Sequence, residues 1–426
     1  MASGNAAGGT ENNDRMGNPH LTRVVWDRAH RRVVSVWDDG AQTESRLPDR
    51  AAVDALIPRV TIDLENWCAL ADLADGQRVV VEAGGPQSPW VRWRRPVVYL
   101  DQNLWVRLTQ AVHTPHKVSE TELAAAAQVF EWGRTLRVVF PLSTGHLAEI
   151  GPARIEYRRT LVPTMLHLSR GWQMRDINGV RADELRGMFS MIGGAEHPGR
   201  FAASNVMTLD EGALLAASTS AENPLAPGDG QVHRFVAWIT AHYGAMLDLE
   251  AVDNTRGTGL AAQWAAMYQE FATLLHTNPA ARANSRKLIL RRQLMDYARQ
   301  VEHAIDTAGV DPTLATAWLG SDNAPDNFSA LPFAGTLYEA VHARVRNPGD
   351  AWNAHDFVDM HYLSCASAYA NIVVCEKKAA DYLTRAWRRR TGGAKLFTSL
   401  AALVDNLNPP PVPAIIATPP PTQYHS

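Results

Sequence analysis

RRPVVYLDQNLWVRLTQ occupies residues 94–110 and contains the transition on which the reading of this chain turns. The apolar run PVVYL, rich in β-branched residues, has strand character. It ends on an acid, Asp101, and the amphipathic NLWVRLTQAV that follows predicts a helix. A lone Asp at a strand end is ordinarily a helix N-cap or a turn former. The carboxyl end of a strand in an open α/β sheet is also where ligands bind. Which role Asp101 takes depends on whether other acids reach it.

Downstream, SETELAAAAQVFEWGRT (119–135) predicts a helix opened by the Ser-x-x-Glu signal of Ser119 and Glu122. LRVVFPLS (136–143) predicts a strand, and a single helix is expected from near Thr144 through HLAEIGPARIEYRRTLVPTMLHLS. This alternation predicts βαα and βα units on a parallel sheet. Residues 172–345 read as helical and loop-rich, with amphipathic stretches at 231–250, 257–277 and 285–306. A helix at 354–369, the β-branched run NIVVC (371–375), a helix at 376–390 and a short AKLFTS strand complete the pattern.

Upstream, TRVVWDRAHRRVVSVW (22–37) has hairpin chemistry, and DGQRVVVEAGGPQSP (75–89) offers a further short strand closed by Gly and Pro. Residues 20–90 are therefore expected to form a small β-containing N-terminal domain. Trp26 and Trp37 within it are read as core residues before stacking ones. Residues 1–19 and the proline-rich 408–426 are expected to be disordered.

With 426 residues, 46% hydrophobic and 20% charged, the chain has globular composition and length for two or three domains. Its start has no apolar stretch of signal-peptide kind, and no window approaches the roughly 18 apolar residues of a membrane span. The expectation is a soluble cytoplasmic protein without a membrane partner. The three cysteines, Cys68, Cys365 and Cys375, lack CxxC spacing and suggest neither a disulfide framework nor structural zinc. A net charge of −3 argues against coating nucleic acid by bulk electrostatics. Any phosphate affinity must be local, as at WVRWRRP (90–96), RANSRKLILRRQ (282–293) and RAWRRR (385–390), which otherwise read as solvated faces.

Four further acids fall in comparable strand-helix contexts. Glu149 lies on the helix after the second strand, and Asp356 and Asp359, spaced i, i+3, share one helix face. Glu376 directly follows NIVVC and so ends a strand, as Asp101 does. Singly, each reads as a cap, a surface acid or an acid favoured by a helix dipole. Together at one sheet edge they would repel one another unless neutralised. A carboxylate-rich site with little His or Cys suits Mg²⁺ or Mn²⁺. Metal-assisted phosphodiester hydrolysis is the chemistry that follows, and it requires the acids to converge.

VVYLDQNLW resembles the opening motif of PIN-domain ribonucleases, a strand ending in Asp with Asn or Ser two residues on. FPLSTGHLAEI is similar to their second motif, a helix Glu after the second strand. HDFVDMHYLSCASAYANIVVCEKKAADYL is similar to the third and fourth, an Asp-bearing helix running into a buried strand that ends in an acid. The set resembles in particular bacterial PIN-like proteins in which a His precedes the helix Glu and Asp-x-x-Asp-x-His opens the third motif. It spans roughly 96–170 and 350–400. The resemblance implies an α/β, PIN-like three-layer domain with a central parallel sheet, built from 94–171 and 346–407 around a large helical insertion at 172–345.

The same resemblance implies a Mg²⁺- or Mn²⁺-dependent endoribonuclease that leaves a 5′-phosphate. Asp101, Glu149, Asp359 and Glu376 would be its metal-binding acids, Asp356 an additional ligand or a neighbour of one, and Asn103 a brace. His146 and His361 become candidates to touch a phosphate or orient a carboxylate, and Lys377 and Lys378 to neutralise phosphates. His355 also lies near these acids, whereas His113 and His116 receive no role. The family's habits point to a toxin or defence nuclease with RNA as substrate and an inhibitory protein partner. Cys375 replaces the usual Thr or Ser, and Glu376 the usual Asp. That departure sustains the alternative of a catalytically degenerate RNA- or protein-binding module. The same acids would also serve a metal phosphohydrolase acting on small phosphoesters.

Overall fold

The computed structural model describes residues 20–46, 56–84, 94–150, 153–194, 202–210, 213, 239, 246, 255–347, 349–388, 390 and 392–411. The expected disordered start, most of GGPQSP, most of the 231–250 stretch and the tail from residue 412 lie outside the described residues.

Six strands open the fold: β1 (Leu21–Asp27), β2 (Arg32–Trp37), β3 (Gln42–Arg46), β4 (Arg59–Asp63), β5 (Cys68–Asp72) and β6 (Arg78–Glu82). They form an antiparallel sheet in the order β3-β2-β1-β4-β5-β6, and β1 and β2 make the expected hairpin. Their alternation turns Val24, Trp26, Val60, Ile62, Val79 and Val81 to one face, while Trp37 is half-buried. That face shares one hydrophobic core with Trp105, Leu108, Val129 and Leu161 of the α/β half. The N-terminal sheet is thus packed into the rest of the molecule. Glu82 fastens it: the carboxylate is buried, takes both Arg95 guanidinium nitrogens (2.5 and 3.1 Å), accepts from Trp172 Nε1 at 2.7 Å, and has Arg170 Nε at 3.4 Å.

The second half is built on short parallel strands. β7 (Val98–Leu100), β10 (Ile372–Val374) and β11 (Lys395–Phe397) pair in the order β11-β10-β7, with Leu100 opposite Val374 and Val374 opposite Phe397. β8 (Gln173–Met174) pairs with β9 (Met207–Thr208). The strand expected at 136–143 is instead a broken lane, with parallel bridges only at Val139 to Val97 and Leu142 to Gln173. Leu136 enters it with a positive φ of 58°, and Pro141 has no N–H to give a ladder.

The first helices are α1 (Gln102–His113), α2 (Glu120–Arg134), α3 (Thr144–Ile150), α4 (Ile155–Ser169) and α5 (Ile177–Ile192). Ser119 and Glu122 form the expected capping box on α2. The helix expected to run unbroken from Thr144 is divided into α3 and α4, with Ala153 and Arg154 outside either. Among the described residues there follow α6 (Thr255–Thr277), α7 (Pro279–Ala283), α8 (Ser285–Asp296), α9 (Ala298–Ala308), α10 (Pro312–Gly320) and α11 (Ala324–Ser329). The last four are α12 (Pro332–Val345), α13 (His355–Tyr369), α14 (Lys377–Trp387) and α15 (Leu400–Asn406).

Strand alternation assigns these helices to two faces. Val98, Leu100, Ile372 and Val374 point into the core shared with α1, α2, α4 and the antiparallel sheet. Tyr99, Val373 and Cys375 point into a second core with α5, α12, α13 and α14. The helical stretch expected as an insertion therefore supplies one covering layer of the parallel sheet, as buried parallel strands require. From β7 the chain proceeds to the Val139 lane on one side, whereas β10 lies on the other. The connections diverge at this boundary, which opens a crevice beyond the ends of β7 and β10.

Candidate functional site

Asp101 stands at the end of β7 and caps α1, accepting from Gln102 N at 2.9 Å. Its backbone N–H continues the sheet to Val374 O at 2.9 Å, so the acid is held by two elements. The residue is 8% exposed. Burial pushes its carboxyl up to about 6; hydrogen bonding from the Gln102 backbone pulls against this, and the charge of Glu376 adds to it. The cap reading holds, and the same residue also lines the cavity described below.

Glu149 sits in the last turn of α3. Burial, then the charges of Asp359 and Asp101, push its carboxyl up to about 8. Two contacts aim this short helix. His146, at the third helical position, accepts at Nδ1 from Ser143 N (3.1 Å) and donates from Nε2 to Leu100 O (2.9 Å), joining the helix start to the end of β7. Burial lowers its pKa to about 4, consistent with the neutral ring. It stacks on Tyr99 with ring centroids 5.0 Å apart, and its role is to hold the backbone from which Asp101 projects. The second contact is Gly145, where an added Cβ would come within 2.7 Å of the Tyr362 ring on α13. Thr144 Oγ1 also meets Tyr362 OH at 2.8 Å.

α13 carries Asp359 and Asp356 on one face, with different surroundings. Asp359 is partly buried, and burial together with Asp101, Asp356 and Glu376 raises its carboxyl to about 7. Asp356 Oδ2 receives Arg344 Nη2 and the Asn353 N–H, each at 2.6 Å. Asn353 Oδ1 in return accepts from the Asp356 N–H at 3.2 Å, a reciprocal cap at the start of α13. Arg344, buried at the end of α12, is also 3.3 Å from Asp350 Oδ2 and lies over the Trp352 ring at 4.3 Å. Asp350 takes Lys378 Nζ at 2.7 Å and the Tyr382 hydroxyl at 2.5 Å.

Glu376 follows β10 at the start of α14 and is exposed. Asn103 Nδ2 donates to its Oε1 at 2.5 Å, the bracing contact expected of Asn103. Lys378 faces the same crevice, whereas Lys377 lines a neighbouring surface groove with Asp381 and Arg385. His361 is not brought to these acids. Its Nδ1 meets Phe357 O at 2.8 Å and its Nε2 meets Tyr297 OH at 3.2 Å, with the ring edge-on to Trp264. At roughly 100° per residue, helical phase puts Phe357 and His361 on a different face of α13 from Asp356 and Asp359. His355 is exposed at the rim.

Asp101, Glu149, Asp356, Asp359 and Glu376 therefore line one cavity of about 420 Å³. Among the described residues no three His, Cys, Asp or Glu stand as a formed metal-ligand group. What the acids share is a cavity in which burial first, and then mutual repulsion, raises Asp101, Asp359 and Glu149. Their donors are carboxylate oxygens, the set that fits a hard, water-retaining cation such as Mg²⁺ or Mn²⁺.

No family model, characterised protein or solved structure matches this chain. Its reading therefore rests on its own residues. Sequence reasoning missed Arg344, Asn353 and Tyr362, and named Lys377 and Lys378 together without separating the crevice-facing Lys378. Arg344 sits in a motif-free helix, and only packing of α12 on α13 brings it to Asp356. The Asn-x-x-Asp spacing of Asn353 and Asp356 was the one local signal available.

Proposed function

We propose that this protein is a Mg²⁺- or Mn²⁺-dependent ribonuclease with a PIN-like core. One observation carries the reading: acids from α1's cap, α3, α13 and the end of β10 line a single cavity where the strand connections diverge. Asp101, Glu149, Asp359 and Glu376 would hold the divalent ion. When bound, such an ion activates water and stabilises charge on a phosphate and its leaving oxygen.

The chain's own groups then have distinct tasks. Asn103 fixes the exposed Glu376, which would otherwise sample many rotamers. Arg344 neutralises Asp356, so that this acid buttresses α13 beside Asp359. Lys378, at the rim, offers positive charge to a substrate phosphate. In the reaction, water oxygen bonds to phosphorus, the bond from phosphorus to the 3′ oxygen breaks, and that oxygen leaves as a hydroxyl after taking a proton.

The test is cleavage of an unstructured RNA by the whole protein with Mg²⁺ or Mn²⁺. Asp101→Asn and excess EDTA should each abolish it, and full activity in either would overturn the reading. The departure at Cys375 and Glu376 from the family's usual Thr or Ser and Asp motivates the degenerate binding module as second reading. Tight RNA binding without turnover or metal dependence would establish that alternative. Comparing RNA, DNA and p-nitrophenyl phosphate in one assay separates a small-phosphoester hydrolase from both. A toxin or defence role with an inhibitory partner follows only if the nuclease reading holds.

A further inference from the structure

The cavity extends further than an ion requires. Its acids lie toward the strand ends, and from Asp359 the same face of α13 runs on one turn to Leu363. Met360 and Ser364 flank Leu363, Ala340 projects from α12, and Tyr382 and Leu383 project from α14. The cavity volume of about 420 Å³ falls within the range of small-ligand pockets, whose walls are mostly apolar with a few placed polar groups.

Two hydroxyls interrupt this wall, and that of Tyr382 is already engaged by Asp350. Ser364 is 0% exposed, and among the described residues its Oγ has no hydrogen-bond partner. A helical serine ordinarily bonds back to the carbonyl four residues earlier, and a buried hydroxyl left unpaired carries an uncompensated cost. A group with an apolar flat body and a polar edge would fill the wall and satisfy that hydroxyl. A phosphate or a sugar alone would find no charge on this wall and, with the Tyr382 hydroxyl held by Asp350, one uncommitted hydroxyl.

We propose that the wall formed by Ala340, Met360, Leu363, Ser364, Tyr382 and Leu383 receives one unpaired nucleobase of the substrate, with Ser364 Oγ hydrogen-bonded to the base edge. The proposal rests on the nuclease reading for the phosphate that would lie at the acids, and it makes this cavity the determinant of nucleotide preference at the cut. The base must be unstacked to enter, so a duplex is not a substrate in that form.

The experiment has two arms, using the full chain with Mg²⁺. In the first, calorimetry measures binding of the four ribonucleoside 5′-monophosphates and of ribose 5-phosphate, which lacks a base. One nucleotide should bind about tenfold more tightly than the weakest, because a site that pairs a polar edge rejects bases lacking it. Ser364→Ala removes an unpartnered hydroxyl, leaves packing intact and should collapse that discrimination. Ala340→Leu, which fills the wall, should weaken all four nucleotides and spare ribose 5-phosphate. Equal binding of all five ligands, or no nucleotide binding, overturns the proposal.

In the second arm, a random-sequence unpaired RNA is cut and the flanking nucleotides are read. Base-dependent nucleotide binding without cleavage retains the base site and rejects the nuclease. Cleavage without base preference, equal in wild type, Ser364→Ala and Ala340→Leu, retains the nuclease and rejects the base site.

Discussion

Asn103 and Glu376, 273 residues apart in the chain, are joined by a 2.5 Å hydrogen bond from the Asn103 amide to the Glu376 carboxylate. Asn103 opens the helix after β7 and Glu376 ends β10, so the bond ties together the two strand ends on which the site is built. If Glu376 holds an ion, Asn103→Ala should raise the Mg²⁺ concentration needed for half-maximal RNA cleavage by about 10- to 100-fold, the usual penalty for losing a partner that orients a ligand. A metal titration of the cleavage rate checks this. An unchanged Mg²⁺ requirement would remove Glu376 from the ligand set.

The raised acids give a pH dependence with a defined sign. Burial and mutual charge hold Asp101 at about 6, Asp359 at about 7 and Glu149 at about 8. The folded metal-free protein keeps protons that the unfolded chain would release. Its stability from these groups is full below the ordinary carboxyl range, near pH 4, and is lost as pH rises through 6 to 8. A divalent ion held by these acids would compete with those protons, so its binding should tighten over that window and release protons. Calorimetry at pH 7 in buffers of different ionisation heat reads the release, and identical heats would exclude these acids as ligands.

Arg344 is the buried cation between Asp350 and Asp356, within 2.6 Å of the latter. Arg344→Met would leave two acids without it, and breaking a buried pair in this way costs about 3–5 kcal/mol. Urea denaturation should show a loss of that order. A loss below about 1 kcal/mol would mean that Lys378 and solvent already satisfy Asp350 and Asp356.

Gly145 sets how closely α3 approaches α13. An added methyl would meet the Tyr362 ring at 2.7 Å, so Gly145→Ala must push the Glu149 helix away from Asp359. Overpacking of this kind costs about 1–3 kcal/mol. The sharper expectation is a fall in cleavage rate larger than that in Tyr362→Phe, which keeps the spacing and loses only the 2.8 Å bond to Thr144. Equal rates in the two variants would show that the separation of the helices is unimportant.

Much of the local structure was legible in short stretches. The β1–β2 hairpin, the capping box at Ser119 and Glu122, and the strands ending at Asp101 and Glu376 follow from alternation and capping chemistry. The lane at Val139 was not, because the positive φ of Leu136 and the missing N–H of Pro141 interrupt a run whose composition favours a strand. His361 reads like a site residue in Asp-x-x-Asp-x-His, yet helical phase turns it onto Tyr297 and Trp264.

The sequence by itself determined where acids end strands and which strand residues face opposite layers, since both depend on neighbours two to four residues away. The tertiary structure alone decided that Glu149, Asp359 and Glu376 share a cavity with Asp101. It also decided that Arg344 occupies Asp356, that the helical stretch covers one face of the parallel sheet, and that the N-terminal sheet joins the core on the other. Those outcomes depend on burial and pairing between segments distant in the chain, where no local period carries the information.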